Sequence, residues 1–141
     1  MSPKCAFLIA LVCLTAVTDA EVQNHMVWFR NSLSSGRILK LDCSTGKAVN
    51  QEVSPGLFYR FEVDDHPLGT TKIGCALRQG PKFEHHQGFY GYWSSFKRSM
   101  FKSPTIYAWD IREDGIYFAR DRDDNEANWG NKAWEFKYAW L

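Results

Sequence analysis

Four groups of side chains in this 141-residue chain are of a type that does chemistry: four cysteines, four histidines, one adjacent carboxylate pair and one short acidic run. Nucleophilic or general-acid chemistry needs a base set against a nucleophile, or two carboxylates in environments that separate their pKa values. His25, His66, His85 and His86 match no such arrangement. Glu113 and Asp114 are neighbours, and the Gly115 that follows places them in a tight turn that accounts for both. His85 and His86 face opposite sides of a strand, with only Glu84 as a further donor, which is too few ligands for zinc. Asp121, Asp123 and Asn125 imitate the first three ligand positions of a calcium loop. Glu126 stands where that loop requires glycine, however, and Lys132 where it requires a bidentate glutamate, so the run reads as a solvated acidic loop. No catalytic residue, metal site or cofactor is expected.

The cysteines take their meaning from the N-terminus. Lys4 precedes an apolar run of 13 residues, Cys5 to Val17, and Thr18-Asp19-Ala20 ends in small residues at alternate positions. This is the pattern of a cleaved signal peptide over residues 1–20, and the run is too short to span a bilayer. Residues 21–141 are then one domain, secreted and extracellular, and no later apolar segment is long enough for stable membrane insertion. Cys5 and Cys13 leave with the signal, so Cys43 and Cys75 have one pairing open to them in an oxidising compartment. Closing that loop contributes roughly 3–4 kcal/mol by restricting the unfolded chain. Cleavage removes Lys4 and Asp19 together and keeps the net charge at +1, which indicates neither nucleic acid nor an anionic surface as partner.

Aromatic residues and a period of two dominate what remains. All six Trp and all six Tyr lie beyond residue 20, a composition suited to pleated sheets. Strands are predicted at 26–31, at 38–43 with Leu39, Leu41 and Cys43 inward, at 57–63 with Tyr59, Phe61 and Val63 inward, and at 70–77. Glycines interrupt the stretch 79–103, which is read as a hairpin. Residues 106–111 and 116–120 flank Asp114-Gly115 and form the clearest hairpin. Trp134, Phe136, Tyr138 and Trp140 alternate with other residues, which predicts a last strand with four aromatics on one face. The fold class is therefore all-β: a small antiparallel β-sandwich of about seven or eight strands with one disulfide.

Several of these residues fall into a familiar order. Leu39, Leu41 and Cys43, then Pro55-Gly56, Tyr59 and Phe61, Gly69-Thr70-Thr71 and Cys75, then Trp109 and the run Ile111 to Tyr117, resemble the motifs of the plant S-protein homologues, the family of self-incompatibility protein S1. The resemblance spans residues 27–118, and Arg112-Glu113-Asp114-Gly115-Ile116-Tyr117 is its most specific part. It implies an eight-stranded sandwich, secretion and, in the poppy branch, a stigma-side determinant read by a pollen receptor. The family typically carries four cysteines in two disulfides. Tyr107 stands about where one of the second pair belongs, so that bridge is absent and its few kcal/mol must be offset elsewhere, with the aromatic C-terminal strand as the candidate.

The resemblance points to a secreted signalling or recognition ligand, a monomer that binds a cell-surface receptor protein. Recognition residues of such a ligand belong on loops held by the sandwich. Three polar loops qualify: Asp64, Asp65 and His66; Lys82, His85 and His86; and Asp121, Asp123 and Asp124. Each reads equally well as a solvated connection. The alternative function is carbohydrate or small-molecule binding through exposed aromatics, against which stands their core-like alternation. No asparagine has Ser or Thr two residues on, so no N-linked glycan is expected. The intact mass of the secreted protein is expected to begin at Glu21 and to be lighter by the two hydrogens of one disulfide; a mass with both thiols intact overturns the pairing.

Overall fold

A computed structural model describes residues 25–34, 36–44, 49–64, 71–94 and 104–141. The signal segment, Asp65 and His66 lie outside the described residues. Among the described residues nine strands carry the fold: β1 (His25–Asn31), β2 (Leu39–Cys43), β3 (Val49–Val53), β4 (Phe58–Val63), β5 (Thr71–Gln79), β6 (His85–Ser94), β7 (Ile106–Arg112), β8 (Gly115–Asp121) and β9 (Glu135–Tyr138). A 3-10 turn at Glu126–Asn131 separates the last two. One sheet has the order β4-β1-β7-β8-β9 and the other β3-β2-β5-β6. The strand beyond the expected seven or eight is β3, whose Val-Asn-Gln-Glu-Val sequence gives no apolar alternation because it is an edge strand.

Side-chain alternation places the core where the period of two puts it. Leu39, Leu41 and Cys43 are buried on β2, and Ile73, Cys75 and Leu77 on β5. Cys43 and Cys75 stand directly opposite in the β2–β5 register and form the disulfide, so the bridge joins neighbouring strands of one sheet. Sheet pairing departs from the all-antiparallel expectation at one place: β1 pairs with β7 in parallel. Residues 106–111 are buried throughout, the signature of a central strand covered on both faces, where parallel pairing is at home.

The cover on the outer face is a second aromatic cluster. Trp129 of the 3-10 turn stacks on Trp28 at 6.1 Å and meets Phe58 edge-on at 5.0 Å, with Trp134 at 4.8 Å. The inner face holds Trp109, around which Phe89, Phe118 and Trp93 lie with centroids 4.4, 4.6 and 6.4 Å away. Tyr107 fills its own place in the core: its ring lies 4.5 Å from Tyr92, and its hydroxyl donates to the carbonyl of Trp93 at 2.9 Å. The place where the resemblance expects a cysteine is thus filled by a packed, hydrogen-bonded side chain.

Two details of register correct the sequence reading. Arg112 pairs with Gly115, so the two-residue turn is Glu113-Asp114 and the glycine opens β8. A bulge then sits opposite Ile116 and Tyr117, which pair with Tyr138 and Phe136. One extra residue on β9 turns Phe136 outward beside Tyr117 while Tyr138 stays inward, and the four aromatics do not share a face.

A second bulge, between Ile73 and Gly74, leaves Gly91 as the extra residue of β6. A Cβ there would stand 2.8 Å from Cys75 Sγ and 3.4 Å from Phe29. Gly91→Ala is expected to lower stability by about 1–3 kcal/mol through overpacking, seen as a shifted midpoint in urea unfolding; an unchanged midpoint would show that the disulfide can yield.

Candidate functional site

The three predicted loops do not come together. Asp64 follows β4 and is exposed at the end of the sandwich where β1 begins, since His25 pairs with Val63. Asp121 lies at that same end, paired with Ile106 at the start of β7. Three strand steps separate the two, about 14 Å. Lys82, His85 and His86 are exposed at the opposite end, where β5 turns into β6.

The acidic loop is internally satisfied. Asp121 Oδ1 accepts from the Asp123 amide, Asp123 Oδ1 from the Asn125 amide and Asn125 Oδ1 from the Ala127 amide, at 3.0–3.1 Å. The Lys132 ammonium, its side chain 2% exposed, donates to Asp121 Oδ1 at 2.6 Å and to the Asp123 carbonyl at 2.8 Å. The residue that spoils the calcium pattern is thus the loop's own buried cation. Hydrogen bonds from the Asn125 amide and the Asn128 side chain hold the Asp123 carboxyl below its usual range. Asp124, between these bonded residues, is exposed.

The other end has the composition of a contact surface. Leu57, Phe136 and Leu141 are 57%, 51% and 66% exposed, three of the four large hydrophobics left open among the described residues. Leu57 lies next to β1's last residue, because the Asn31 amide donates to its carbonyl. Phe136 stands edge-on to Tyr117 at 5.5 Å, against Gly115, where a Cβ would strike the Phe136 ring. Leu141 exchanges two backbone hydrogen bonds with His86 and so reaches across to the edge of the other sheet.

Charged groups frame these side chains. Arg112 donates through Nε to Asp110 at 2.7 Å and lays its guanidinium 3.9 Å from the centre of the Tyr117 ring. The Tyr117 hydroxyl donates to Asp114 Oδ2 at 2.8 Å, and that bond raises its pKa. Glu113 accepts from the Ser34 amide at 2.5 Å and from Arg37 Nη1 at 2.7 Å, while Arg37 also reaches Gln79 at 3.4 Å. Hydrogen bonds from Ser34 first, then the charges of Arg37 and His85, hold the Glu113 carboxyl below its usual range. Glu113 and Asp114 are therefore tied to different partners, and no metal-holding cluster occurs among the described residues.

Sequence reasoning placed Lys82, His85 and His86 at this end but missed Leu57, Arg37, Tyr117 and Phe136. Only the bulge on β9 makes Phe136 a surface residue, and the pattern of the sequence hides it.

The fold is thus a two-sheet sandwich with one cross-strand disulfide. The model of the plant self-incompatibility protein S1 family matches residues 26–140, and the chain belongs to that family. Among its relatives are S-protein homologs 32 and 22 of Arabidopsis thaliana, each 42% identical over 116 residues, covering 81% of this chain and 78% and 82% of those proteins. S-protein homolog 9 of the same plant is 28% identical over 124 residues, covering 85% of this chain and 90% of that protein. A solved structure of an SPH (self-incompatibility protein homologue) protein, from a widespread family of small, highly stable, secreted plant proteins, superposes with a TM-score of 0.55. That match is 20% identical and covers 82% of this chain and 96% of the other. The protein is a secreted member of this plant family.

Glu113 sets a pH dependence. Its folded pKa lies below its unfolded value, so its contribution is complete above the ordinary carboxylate range and is lost as pH falls through the folded value. Glu113→Gln is expected to cost a few tenths to about 1 kcal/mol near neutral pH, as exposed ion pairs do. The difference from the parent protein should close as urea titrations are taken into acid; a difference that persists there would assign the effect to something other than the charge.

Proposed function

We propose that the protein is an extracellular recognition ligand, read by a cell-surface receptor protein at the end formed by the β5–β6 and β7–β8 turns. The observation that carries this reading is that three of the four large hydrophobics left exposed among the described residues, Leu57, Phe136 and Leu141, lie at this end of the sandwich together with Arg37, Arg112, Glu113, His85 and His86. Apolar and aromatic centres with arginine and a polar rim are what protein interfaces are built from. Family membership supports an extracellular role, and the described carboxylates and histidines offer no acid–base pair that favours catalysis.

Presentation of this end is a matter of rigidity. Asn31, fully buried, donates from its amide to the carbonyls of Arg37 and Val53 and accepts from the Leu33 amide. That one side chain ties the β1–β2 connection to the end of β3, so Leu57 and Arg37 stand on a fixed frame. Binding then costs little ordering entropy. In this reading residues 1–20 are removed on secretion, and Asp121 and Asp123 of the opposite end serve the fold rather than the receptor.

The labelled secreted protein is expected to bind intact plant cells saturably and to be displaced by unlabelled protein. The double variant Leu57→Ser, Phe136→Ala should compete roughly tenfold or more weakly, the scale of losing contact hot spots, while Asp124→Ala competes as the parent does. Binding that never saturates, or a double variant as effective as the parent, overturns the assignment.

A further inference from the structure

We propose that the outer face of the four-stranded sheet is a second, independent site that takes a neutral polysaccharide chain laid across the strands. An open groove of about 700 Å3 lies there, walled by Asp42, Asn50 and Tyr90 over a floor of Gly74, Ala76 and Gly88. The register explains its shape. Asn50, Asp42, Ala76 and Gly88 are consecutive cross-strand partners from β3 through β2 and β5 to β6, a row about 14 Å long.

Two of the floor residues are glycines, and no packing contact requires either. A Cβ at Gly74 would meet nothing within 4 Å, and one at Gly88 only the Cys75 carbonyl at 3.8 Å, an ordinary contact. Neither has the left-handed backbone that favours glycine. A glycine inside a strand weakens it; Gly74 borders the bulge that leaves Gly91 unpaired, but Gly88 has neither a bulge nor packing to demand it, and close approach of another molecule is the physical reason left for it. Gly91, which the disulfide does require, is the contrast within the same strand.

The walls name the occupant. Tyr90 is 53% exposed, with Lys72 Nζ 5.3 Å from its ring centre, and offers an aromatic surface to the apolar face of a pyranose. Asp42 and Asn50 stand side by side across β2 and β3, one accepting and one both donating and accepting, a pairing suited to vicinal hydroxyls. Asp42 and Lys72 set one charge of each sign at the groove, so neither a polyanion nor a polycation is favoured over a neutral chain. A protein partner would need apolar anchors, and the outward-facing floor has nothing larger than Ala76. Beneath the groove the Cys43–Cys75 bridge fixes β2 to β5, so the walls keep their spacing.

This site does not rest on the receptor reading, and its variants lie on another face. The test is calorimetric titration of the full secreted protein with cellohexaose, mannohexaose, xylohexaose and a galacturonic acid hexamer, with amide shifts of Gly74, Ala76 and Gly88 followed by NMR. Binding to at least one neutral hexamer is expected, with shifts confined to this face. Tyr90→Ala should weaken it tenfold or more, and Gly88→Val should abolish it while melting at or above the temperature of the parent protein. Absence of heat and shifts with every neutral hexamer, binding of the galacturonic acid hexamer alone, or binding that survives both substitutions overturns the proposal.

Discussion

Trp109 donates its indole N–H to the carbonyl of Gly91 at 3.0 Å, across the interior from one sheet to the other. Both groups are buried, so either left alone would carry the cost of an unmet hydrogen bond in a low-dielectric core. The bond therefore fixes how β7 lies over β6. Its acceptor is the extra residue of a bulge, and that residue can carry no side chain because Cys75 Sγ occupies the space. Tryptophan, glycine and disulfide form one interlocked unit, with Phe89, Phe118 and Trp93 packed around the indole. The two sheets are held in register by this unit, since the disulfide alone joins strands of only one of them.

The neighbour of Trp109 organises the opposite face. One step along β7 the side chain points outward, and there the Asp110 carboxylate accepts from Ser32 at 2.5 Å, from Trp129 Nε1 at 2.9 Å and from Arg112 Nε at 2.7 Å. A buried carboxylate is tolerated when its lone pairs are filled this way. The 3-10 turn is drawn down onto Trp28 by the same contact, and Lys132 closes the acidic loop behind it. The run from Trp109 to Arg112 thus serves three surfaces in alternation: the core, the outer aromatic cover and the exposed hairpin end.

Much of this was legible in the sequence, and the limits have physical causes. The hairpin around Glu113-Asp114, the inward set on β2 and the Cys43–Cys75 pairing follow from alternation and from reading residues 1–20 as a signal segment, which leaves two cysteines. Strand β3 was missed because an edge strand with solvent on two sides needs no apolar alternation. The parallel β1–β7 pair could not be seen, since it joins segments about eighty residues apart and local patterning carries no information on it. Phe136 was assigned inward because period-two reasoning assumes an unbroken register, and a bulge is a single-residue exception to that. For the candidate site, Lys82, His85 and His86 were identified as loop polar residues, but nothing in a linear pattern says that Arg37 and Leu57 share their end. Asp121 and Asp123 show the converse limit: polarity suggests a free loop, whereas a buried lysine eleven residues later for Asp121, and nine for Asp123, engages them.

These cases separate residues that the fold explains from residues that it does not. Gly91, Asp110, Asn31 and Lys132 are each accounted for by a contact whose loss would leave a clash or an unpaired polar group. Exposed Leu57 and Phe136, and strand-interior Gly88, have no such account: the first two leave apolar surface in water, and the glycine leaves backbone uncovered where a side chain would fit. Each is a small free-energy cost that packing does not recover. The first two lie at the same end of the sandwich and the glycine on the floor of the groove. A cost of this kind is what a binding partner removes when it arrives, and that gives the two faces their functional reading.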